Sequence, residues 1–191
     1  MVKFIKETHQ YTVDGIIVPS VSTILKETIF TDKYKAVPEF ILKRAAEFGT
    51  AVHDAIEHDD NLLLTEEQDR VYQEWKRLQK EEDIVPLEQE QIVHFEKEYA
   101  GTFDMIANIK GEKCLVDIKT TYNLDLEYLS WQLSMYALAY GHEGKLYAVW
   151  LPKKGNAQLV EIETKPYEQI HELLEAHHAL HKDETEQDIQ W

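Results

Sequence analysis

Val116-Asp117-Ile118-Lys119-Thr120 follows the apolar run Cys114-Leu115-Val116 and carries an acid and a lysine two residues apart. Side chains alternate between the faces of a β-strand, so a strand here directs Asp117 and Lys119 to one face and Ile118 into the core. A carboxylate beside an ammonium group at the end of a buried strand suits phosphate chemistry. The acid would hold a divalent metal ion, and the lysine would lie beside the attacked phosphate.

A second acid, Asp104, ends the strand-like segment Gly101-Thr102-Phe103-Asp104. The turn signal Lys110-Gly111 lies between the two runs, and a hairpin there would bring Asp104 close to Asp117. Two carboxylates held together repel each other unless a cation lies between them, which predicts Mg²⁺ or Mn²⁺. Either acid alone would be an ordinary strand end that reaches water. Together, an acid followed by Asp-x-Lys is typical of metal-dependent nucleases.

The rest of the chain predicts a single domain over residues 1–191, with an α/β sheet flanked by helices, a core over about 19–165 and a solvated acidic tail over 183–191. A β-hairpin over residues 3–18 is expected to turn at Asp14-Gly15, and Ser20 to cap a short helix. Longer helices are expected from Pro38 and Thr65. Further along we expect strands at 87–97, 99–109 and 113–119, a helix at 125–140, strands at 144–151 and 157–163, and a helix after residue 166.

Composition limits the class of protein. The chain has 191 residues, 43% of them hydrophobic, which is enough for a substantial core. Its single cysteine, Cys114, cannot form an internal disulfide or an iron–sulfur cluster. Residues 1–6 lack the apolar region of a signal peptide, and no apolar run approaches the length of a membrane span. We therefore expect a protein of a reducing cytoplasm, with no membrane partner.

The charge balance opposes a simple nucleic-acid-binding surface. Lys+Arg 20 against Asp+Glu 36 gives a net charge of −16, whereas phosphate-binding surfaces normally carry the opposite sign. Local cations and bound metal ions would offset part of this charge. The sequence places such cations at Lys26, Lys33, Lys35, Lys43 and Arg44. The charge therefore lowers the expected affinity for DNA without excluding a nuclease.

Two further patterns lie on predicted helices. His53 follows small residues at 49–51, which would let its helix approach the sheet closely; it is either a metal ligand or an ordinary packing residue. The chain has 9 histidines, and we expect the other eight to lie on the surface. Gln132 and Tyr136 share a helical face and either offer donors to a phosphate or base, or belong to an ordinary amphipathic helix.

In their order along the chain, these patterns resemble those of the PD-(D/E)XK nuclease superfamily, in particular its RecB-like exonucleases. That group includes phage exonucleases and the mitochondrial genome maintenance exonuclease. Phe103 stands where the proline that names the first motif is found in other members, as is common in the RecB-like group. The matching segments are residues 19–25, 49–53, 100–104, 116–121 and 132–136.

The resemblance implies a restriction-endonuclease-like mixed sheet flanked by helices and a divalent-metal-dependent DNA exonuclease without an iron–sulfur cluster. It implies linear DNA, including single-stranded ends, as substrate, and a recombination or replication protein as partner. The setting would be phage or prophage DNA in the cytoplasm of a bacterium or infected host. The net charge leaves open a catalytically silent module of the same fold that binds DNA ends or a protein.

The resemblance also assigns roles to individual residues. The implied metal ligands are His53, Asp104, Asp117 and the carbonyl of Ile118. Lys119 is similar to the catalytic lysine and would act with the two aspartates. The implied DNA contacts are Gln132, Tyr136, Ser20, Ser22, Thr23 and Arg44.

Overall fold

The structure is a computed structural model that describes residues 1–33 and 35–187, with side chains through residue 182. The predicted acidic tail over 183–191 lies only partly within this range. The backbone of residues 183–187 continues the last helix, and residues 188–191 lie outside the described residues. Within the described part of the chain, no helix has both the length and the apolar character needed to cross a membrane.

The described residues form strands and helices in the following order. They are β1 (Val2–Ile5), β2 (Gln10–Val13), β3 (Ile16–Val18), α1 (Val21–Thr28), α2 (Glu39–His58), α3 (Glu66–Glu81), β4 (Ile84–Phe95), β5 (Tyr99–Ile109), β6 (Glu112–Lys119), α4 (Leu126–Tyr140), β7 (Leu146–Trp150), β8 (Gln158–Ile162) and α5 (Tyr167–Gln187).

The central sheet has the strand order β4-β5-β6-β7-β8. Adjacent strands of this sheet pair antiparallel, except for β6 and β7. Those two strands are parallel and are joined by the crossover helix α4. A separate antiparallel sheet contains β1, β2 and β3 in that order. The fold is therefore α/β, with a mixed sheet flanked by helices, and this prediction is confirmed.

Apolar side chains cover both faces of the central sheet. On one face, α1, α4 and α5 pack against a cluster that includes Phe103 and Leu115. On the other face, α2 and α3 pack against a cluster that includes Val116 and Ile118. Strands buried on both faces carry continuous apolar runs, which explains the sequence that precedes Asp117. The predicted burial of Ile118 is confirmed at 2% exposure.

Helix ends follow local sequence signals. Ser20 caps α1 by accepting a hydrogen bond from the backbone N–H of Thr23 at 3.0 Å. Thr65 and Gln68 form a capping box at the start of α3. Gly141 ends α4 in the left-handed conformation with a φ of 74°. These three boundaries agree with the predictions.

Two local predictions need correction. The segment expected to be a hairpin over residues 3–18 is a three-stranded sheet, because a second turn follows β1 and includes His9 at a φ of 55°. The predicted turn at Asp14-Gly15 joins β2 to β3. Pro38 is the N-cap of α2 rather than its first helical residue, because its ψ of 138° is extended.

Candidate metal centre

The acids of the two motifs lie where β5 and β6 separate. These strands pair from Ile109↔Glu112 to Met105↔Val116, and beyond that point β6 continues beside β7 as far as Lys119. The carboxylate of Asp104 occupies the gap, where its Oδ2 accepts a hydrogen bond from the backbone N–H of Ile118 at 2.5 Å. The Ile118 N–H, which has no partner on a neighbouring strand, thereby gains a hydrogen-bond acceptor. The predicted proximity of Asp104 to the Asp-x-Lys segment is present in the structure.

The point where β5 and β6 separate, beside Asp104, Asp117 and Lys119, is called the fork below. His53 reaches the fork from α2. A Cβ atom on Gly49 would lie 3.2 Å from the Thr120 Oγ1, so the glycine allows the helix to pack closely beside the end of β6. His53 Nδ1 lies 3.2 Å from the Asp104 Oδ1. Burial acts to lower the pKa of His53, but the charge and hydrogen bond of Asp104 outweigh it and raise the pKa. The two groups are therefore placed to form an ion pair when the imidazole is protonated.

Asp117 and Lys119 share a face of β6, as predicted. The Lys119 Nζ lies 2.5 Å from the Asp117 Oδ2. Burial raises the pKa of Asp117 to about 6, and the charge of Lys119 only partly opposes this effect. Burial acts to lower the pKa of Lys119, but the charges of Asp117 and Asp104 raise it. The lysine is therefore held in its protonated form.

The Asp117 carboxylate is buried beside the Lys119 ammonium group. Asp117 is 3% exposed, and its Oδ2 has no hydrogen-bond partner of acceptable geometry in the described structure. The ammonium group of Lys119 is its close ionic partner. Buried polar atoms are normally paired, and a carboxylate oxygen with this environment fits a cation ligand.

Glu90 is a further candidate ligand that no sequence pattern predicted. Its neighbours Gln89 and Gln91 pair with Met105 and Phe103, so Glu90 lies opposite Asp104 across the β4–β5 ladder. No local pattern marks it, because β4 carries a run of polar residues around it. Only the register between the two strands shows which of these residues faces the site.

The side chains of Glu90, His53 and Asp104 lie close enough together to hold a metal ion. Each offers a ligand atom, and these atoms lie within 4.8 Å of one another. Glu90 lies at the exposed rim, yet desolvation, followed by the charge of Asp104, raises its pKa to about 7. Carboxylate oxygens with one imidazole nitrogen suit Mg²⁺ or Mn²⁺. The residues present therefore fit the predicted ion.

A cleft of about 610 Å³ opens over these groups. The small N-terminal sheet supplies part of its wall, where the Tyr11 hydroxyl lies 2.9 Å from the Thr102 Oγ1. The lysines that line the cleft are Lys6 and Lys119, and the acids are Asp54, Glu57, Glu90 and Asp104. This excess of acids favours the binding of a cation over the binding of a polyanion.

Gln132 and Tyr136 lie behind β5 rather than in the cleft lining. Both are buried, and the Gln132 Nε2 donates to the Tyr136 hydroxyl at 3.3 Å. The Gln132 Oε1 is buried without a hydrogen-bond partner in the described structure. The helix that carries them is buried on most of its surface because α1, α5 and the sheet surround it. Their contact with DNA stays a prediction.

The remaining predicted DNA contacts also lie away from the acids. The Ser20 hydroxyl lies 2.9 Å from the Ser22 Oγ and 2.8 Å from the Thr23 Oγ1, at the start of α1. Ser20 and Thr23 line a different cavity. Arg44 is exposed on α2, nine residues before His53. Their roles stay predictions, as does that of the Ile118 carbonyl, since the hydrogen bond observed at Ile118 involves its N–H.

Comparison with known proteins adds little about this site. No protein-family model matches the chain, and no curated protein matches it. A solved structure described as "Crystal structure of SSO0001" is similar over 85% of this chain and 75% of that chain. The sequence identity is 17% and the TM-score is 0.49. A likeness at this level carries no argument about chemistry, so the proposed function rests on the residues themselves.

Proposed function

We propose that this chain is a divalent-metal-dependent DNA exonuclease. The observation that carries the proposal is the placement of the buried Asp117 carboxylate. It lies beside protonated Lys119 on the strand that also contacts the His53–Asp104 pair. The order of the motifs, which resembles that of RecB-like exonucleases, supports hydrolysis of phosphodiester bonds at DNA ends.

Asp104, Asp117 and His53 would hold the ion, with Glu90 as a further ligand from β4. A divalent ion held there supplies Lewis-acid activation of the phosphate and of the attacking water. The hydrogen bond from Ile118 to Asp104 fixes one carboxylate before any ion binds. The rigid sheet edge therefore preorganises the ligands, which reduces the reorganisation needed during the reaction.

Lys119 would stabilise negative charge on the phosphate and orient the attacking water. Its raised pKa keeps the ammonium group charged at neutral pH, so it serves as a donor rather than as a general base. The ion pair with Asp117 limits the positions that the long side chain can adopt. Asp117 would thus have two roles, as a metal ligand and as an anchor for Lys119.

The biological setting rests on the resemblance alone. It favours recombination or replication of phage or prophage DNA in the cytoplasm of a bacterium or infected host. Linear DNA, including single-stranded ends, would be the substrate, and a recombination or replication protein would deliver it. Gln132, Tyr136, Ser20, Ser22, Thr23 and Arg44 remain the proposed DNA contacts.

Digestion of end-labelled linear DNA beside closed circular DNA tests the activity. We expect degradation of the linear form with Mg²⁺ or Mn²⁺, and none in EDTA. Lys119→Ala should lower the rate roughly 10²- to 10³-fold, as the loss of one preorganised charge-stabilising donor does in other enzymes. Lys113→Ala, at the other end of β6, is the matched control and should retain full activity. Undiminished cleavage by Lys119→Ala would refute the assigned role, and sustained cutting of circles would indicate an endonuclease.

The net charge of −16 leaves a second candidate, a module of this fold that binds a protein or DNA ends without cutting. Calorimetry with Mn²⁺ distinguishes the two functions. A nuclease should bind Mn²⁺ through the fork residues, and Asp117→Ala should lose that binding. A protein that binds no Mn²⁺ and cleaves no DNA, yet holds a partner tightly, would support the silent module.

A further inference from the structure

A second cluster of potential ligands lies between α1 and α5. The Glu27 Oε2 is 3.0 Å from the His177 Nε2 and 2.9 Å from the His181 Nε2. The ligand atoms of the three residues all lie within 4.8 Å of one another. None of these residues lines the cleft over the fork. Two imidazole rings of α5 therefore contact the same carboxylate oxygen of Glu27.

Helix geometry accounts for the convergence of the two imidazoles. His177 and His181 are four residues apart on α5, so they share one face of the helix. Apolar residues of α5, including Leu173, pack in the same cluster as Ile24 of α1. The predicted surface position of His177 is wrong, because this packing leaves it only 7% exposed. At the interface between α1 and α5, the buried imidazole of His177 therefore contacts the Glu27 carboxylate.

We propose that Glu27, His177 and His181 form a binding site for Zn²⁺ or a chemically similar transition-metal cation. Zinc bonds to nitrogen and oxygen are about 2.0–2.2 Å long, so ligands at a tetrahedral ion lie roughly 3.3 Å apart. The observed nitrogen–oxygen separations of 2.9 and 3.0 Å need only a small outward shift of the side chains. Three protein ligands leave a fourth position for water.

The donor set separates this site from the one at the fork. Two imidazole nitrogens and one carboxylate suit zinc and its neighbours better than magnesium, which prefers oxygen ligands. The fork offers mainly carboxylate oxygens with one imidazole. We therefore expect Mg²⁺ to compete poorly for the α1–α5 site, even at concentrations that support chemistry at the fork.

The electrostatic state of the cluster agrees with this assignment. Burial acts to raise the pKa of Glu27, but the hydrogen bonds with His181 and His177 outweigh it and lower the pKa. Burial lowers the pKa of His177, although the hydrogen bond with Glu27 opposes it. An ionised carboxylate and a neutral imidazole are the forms that bind metal ions. Of the three residues, only Glu27 belongs to α1, so a bound ion would link the first helix of the fold to the last.

Zinc titration in a variant that lacks the two fork aspartates tests the proposal. In Asp104→Asn/Asp117→Asn protein, calorimetry should still detect one Zn²⁺ per chain. Adding His181→Ala should weaken that binding at least roughly tenfold. Even the loss of a residue that only hydrogen-bonds to a metal ligand lowers metal affinity about 10- to 100-fold. His178→Ala is the matched control, because the neighbouring His178 lies 2.7 Å from Glu98 instead. It should leave the affinity unchanged.

Cobalt supplies a spectroscopic readout that does not depend on activity. Co²⁺ bound to the fork-deficient protein should give visible absorption bands, and Glu27→Gln or His181→Ala should remove them. Glu27→Gln is nearly isosteric and half-exposed, so it keeps the test valid if the histidine variant does not fold. Absence of Zn²⁺ binding in the fork-deficient protein would overturn the proposal. So would equal affinity in Glu27→Gln, which would leave the cluster as an ion pair between two helices. Because both fork aspartates are replaced in this variant, neither result depends on the nuclease proposal.

Discussion

Glu90 shows how acids gathered at a candidate metal site oppose the stability of the fold. Its backbone is left-handed, with a φ of 48°, a conformation that is uncommon for residues other than glycine. Desolvation, together with the charge of Asp104, raises its pKa to about 7 from the ordinary value of 4.5. The folded protein therefore holds this proton more tightly than the unfolded chain. As pH rises from the ordinary pKa of 4.5 to about 7, the metal-free folded state therefore loses stability relative to the unfolded state.

We therefore expect Glu90→Gln to stabilise the metal-free protein at pH 8 and to have little effect at pH 4, below the ordinary pKa. The measurement is urea unfolding in EDTA at both pH values. Glu96→Gln is the control, because Glu96 is also exposed and left-handed, with a φ of 49°. With Mn²⁺ present, the order should reverse, since the variant lacks a ligand that stabilises the folded state on binding. Equal stability of Glu90→Gln and wild type at pH 8 in EDTA would contradict the predicted repulsion.

At the scale of elements, β5 and α4 approach closely because residue 101 lacks a side chain. A Cβ atom on Gly101 would lie 2.5 Å from the Tyr136 Cε1. The tyrosine ring is 6% exposed and contacts Gln132, so it has little room to move. Gly101→Ala should therefore cost about 1–3 kcal/mol in the free energy of unfolding, as overpacking does in other cores.

Urea unfolding of Gly101→Ala, Tyr136→Leu and the double variant measures this contact. Because the clash requires both the added methyl and the ring, the double variant should be more stable than the sum of the single effects predicts. Strict additivity, or a Gly101→Ala protein as stable as wild type, would show that β5 and α4 can separate easily.

The start of α4 depends on Asp125 in two separable ways. Its Oδ1 accepts from the backbone N–H of Tyr128 at 3.0 Å, and its Oδ2 lies 2.7 Å from the Lys33 Nζ. Burial acts to raise its pKa, but the bonds to Lys33 and Tyr128 lower it. The stabilisation is therefore present above the ordinary pKa of about 3.8 and is lost as pH falls through the lowered value.

Asp125→Ala should cost about 0.5–2 kcal/mol at pH 7 through loss of the cap. Asp125→Asn retains the capping oxygen and should cost less, since it loses only the partly exposed ion pair. The difference between Asp125→Asn and wild type should shrink as pH falls below the ordinary pKa of the acid. Thermal unfolding at several pH values measures both effects. A gap that persists unchanged to pH 2 would exclude the ion pair as its source.

The same elements show what sequence patterns can and cannot predict. The helix caps and the strand that ends at Lys119 follow from local signals, because capping and alternation act within a few residues. The position of Glu90 at the site could not be predicted from local signals, since it depends on the register between β4 and β5. The burial of His177 depends on how α5 packs against α1. Tertiary contacts of this kind leave no periodic trace in the sequence.

Over the whole molecule, the net charge of −16 conflicts with binding a polyanion. Within the cleft, the same conflict recurs, because four acids line it beside two lysines, Lys6 and Lys119. A divalent ion at the fork would offset this negative charge where, under the proposed function, a phosphate would enter. Binding of DNA should therefore depend on the metal ion far more than on surface lysines.

A salt titration tests this dependence. In EDTA, we expect no measurable binding of a fluorescently labelled single-stranded oligonucleotide; Ca²⁺ should restore binding as a hard cation for the same oxygen ligands. Each single-stranded phosphate neutralised contributes a slope of about −0.7 to log K against log salt, so two lysines predict roughly −1 to −2. Lys6→Ala should lower the magnitude by about 0.7, whereas Lys3→Ala, exposed on β1, should not. A much steeper slope, unchanged in Lys6→Ala, would place the nucleic acid on another surface, because the cleft holds too few cations to produce it.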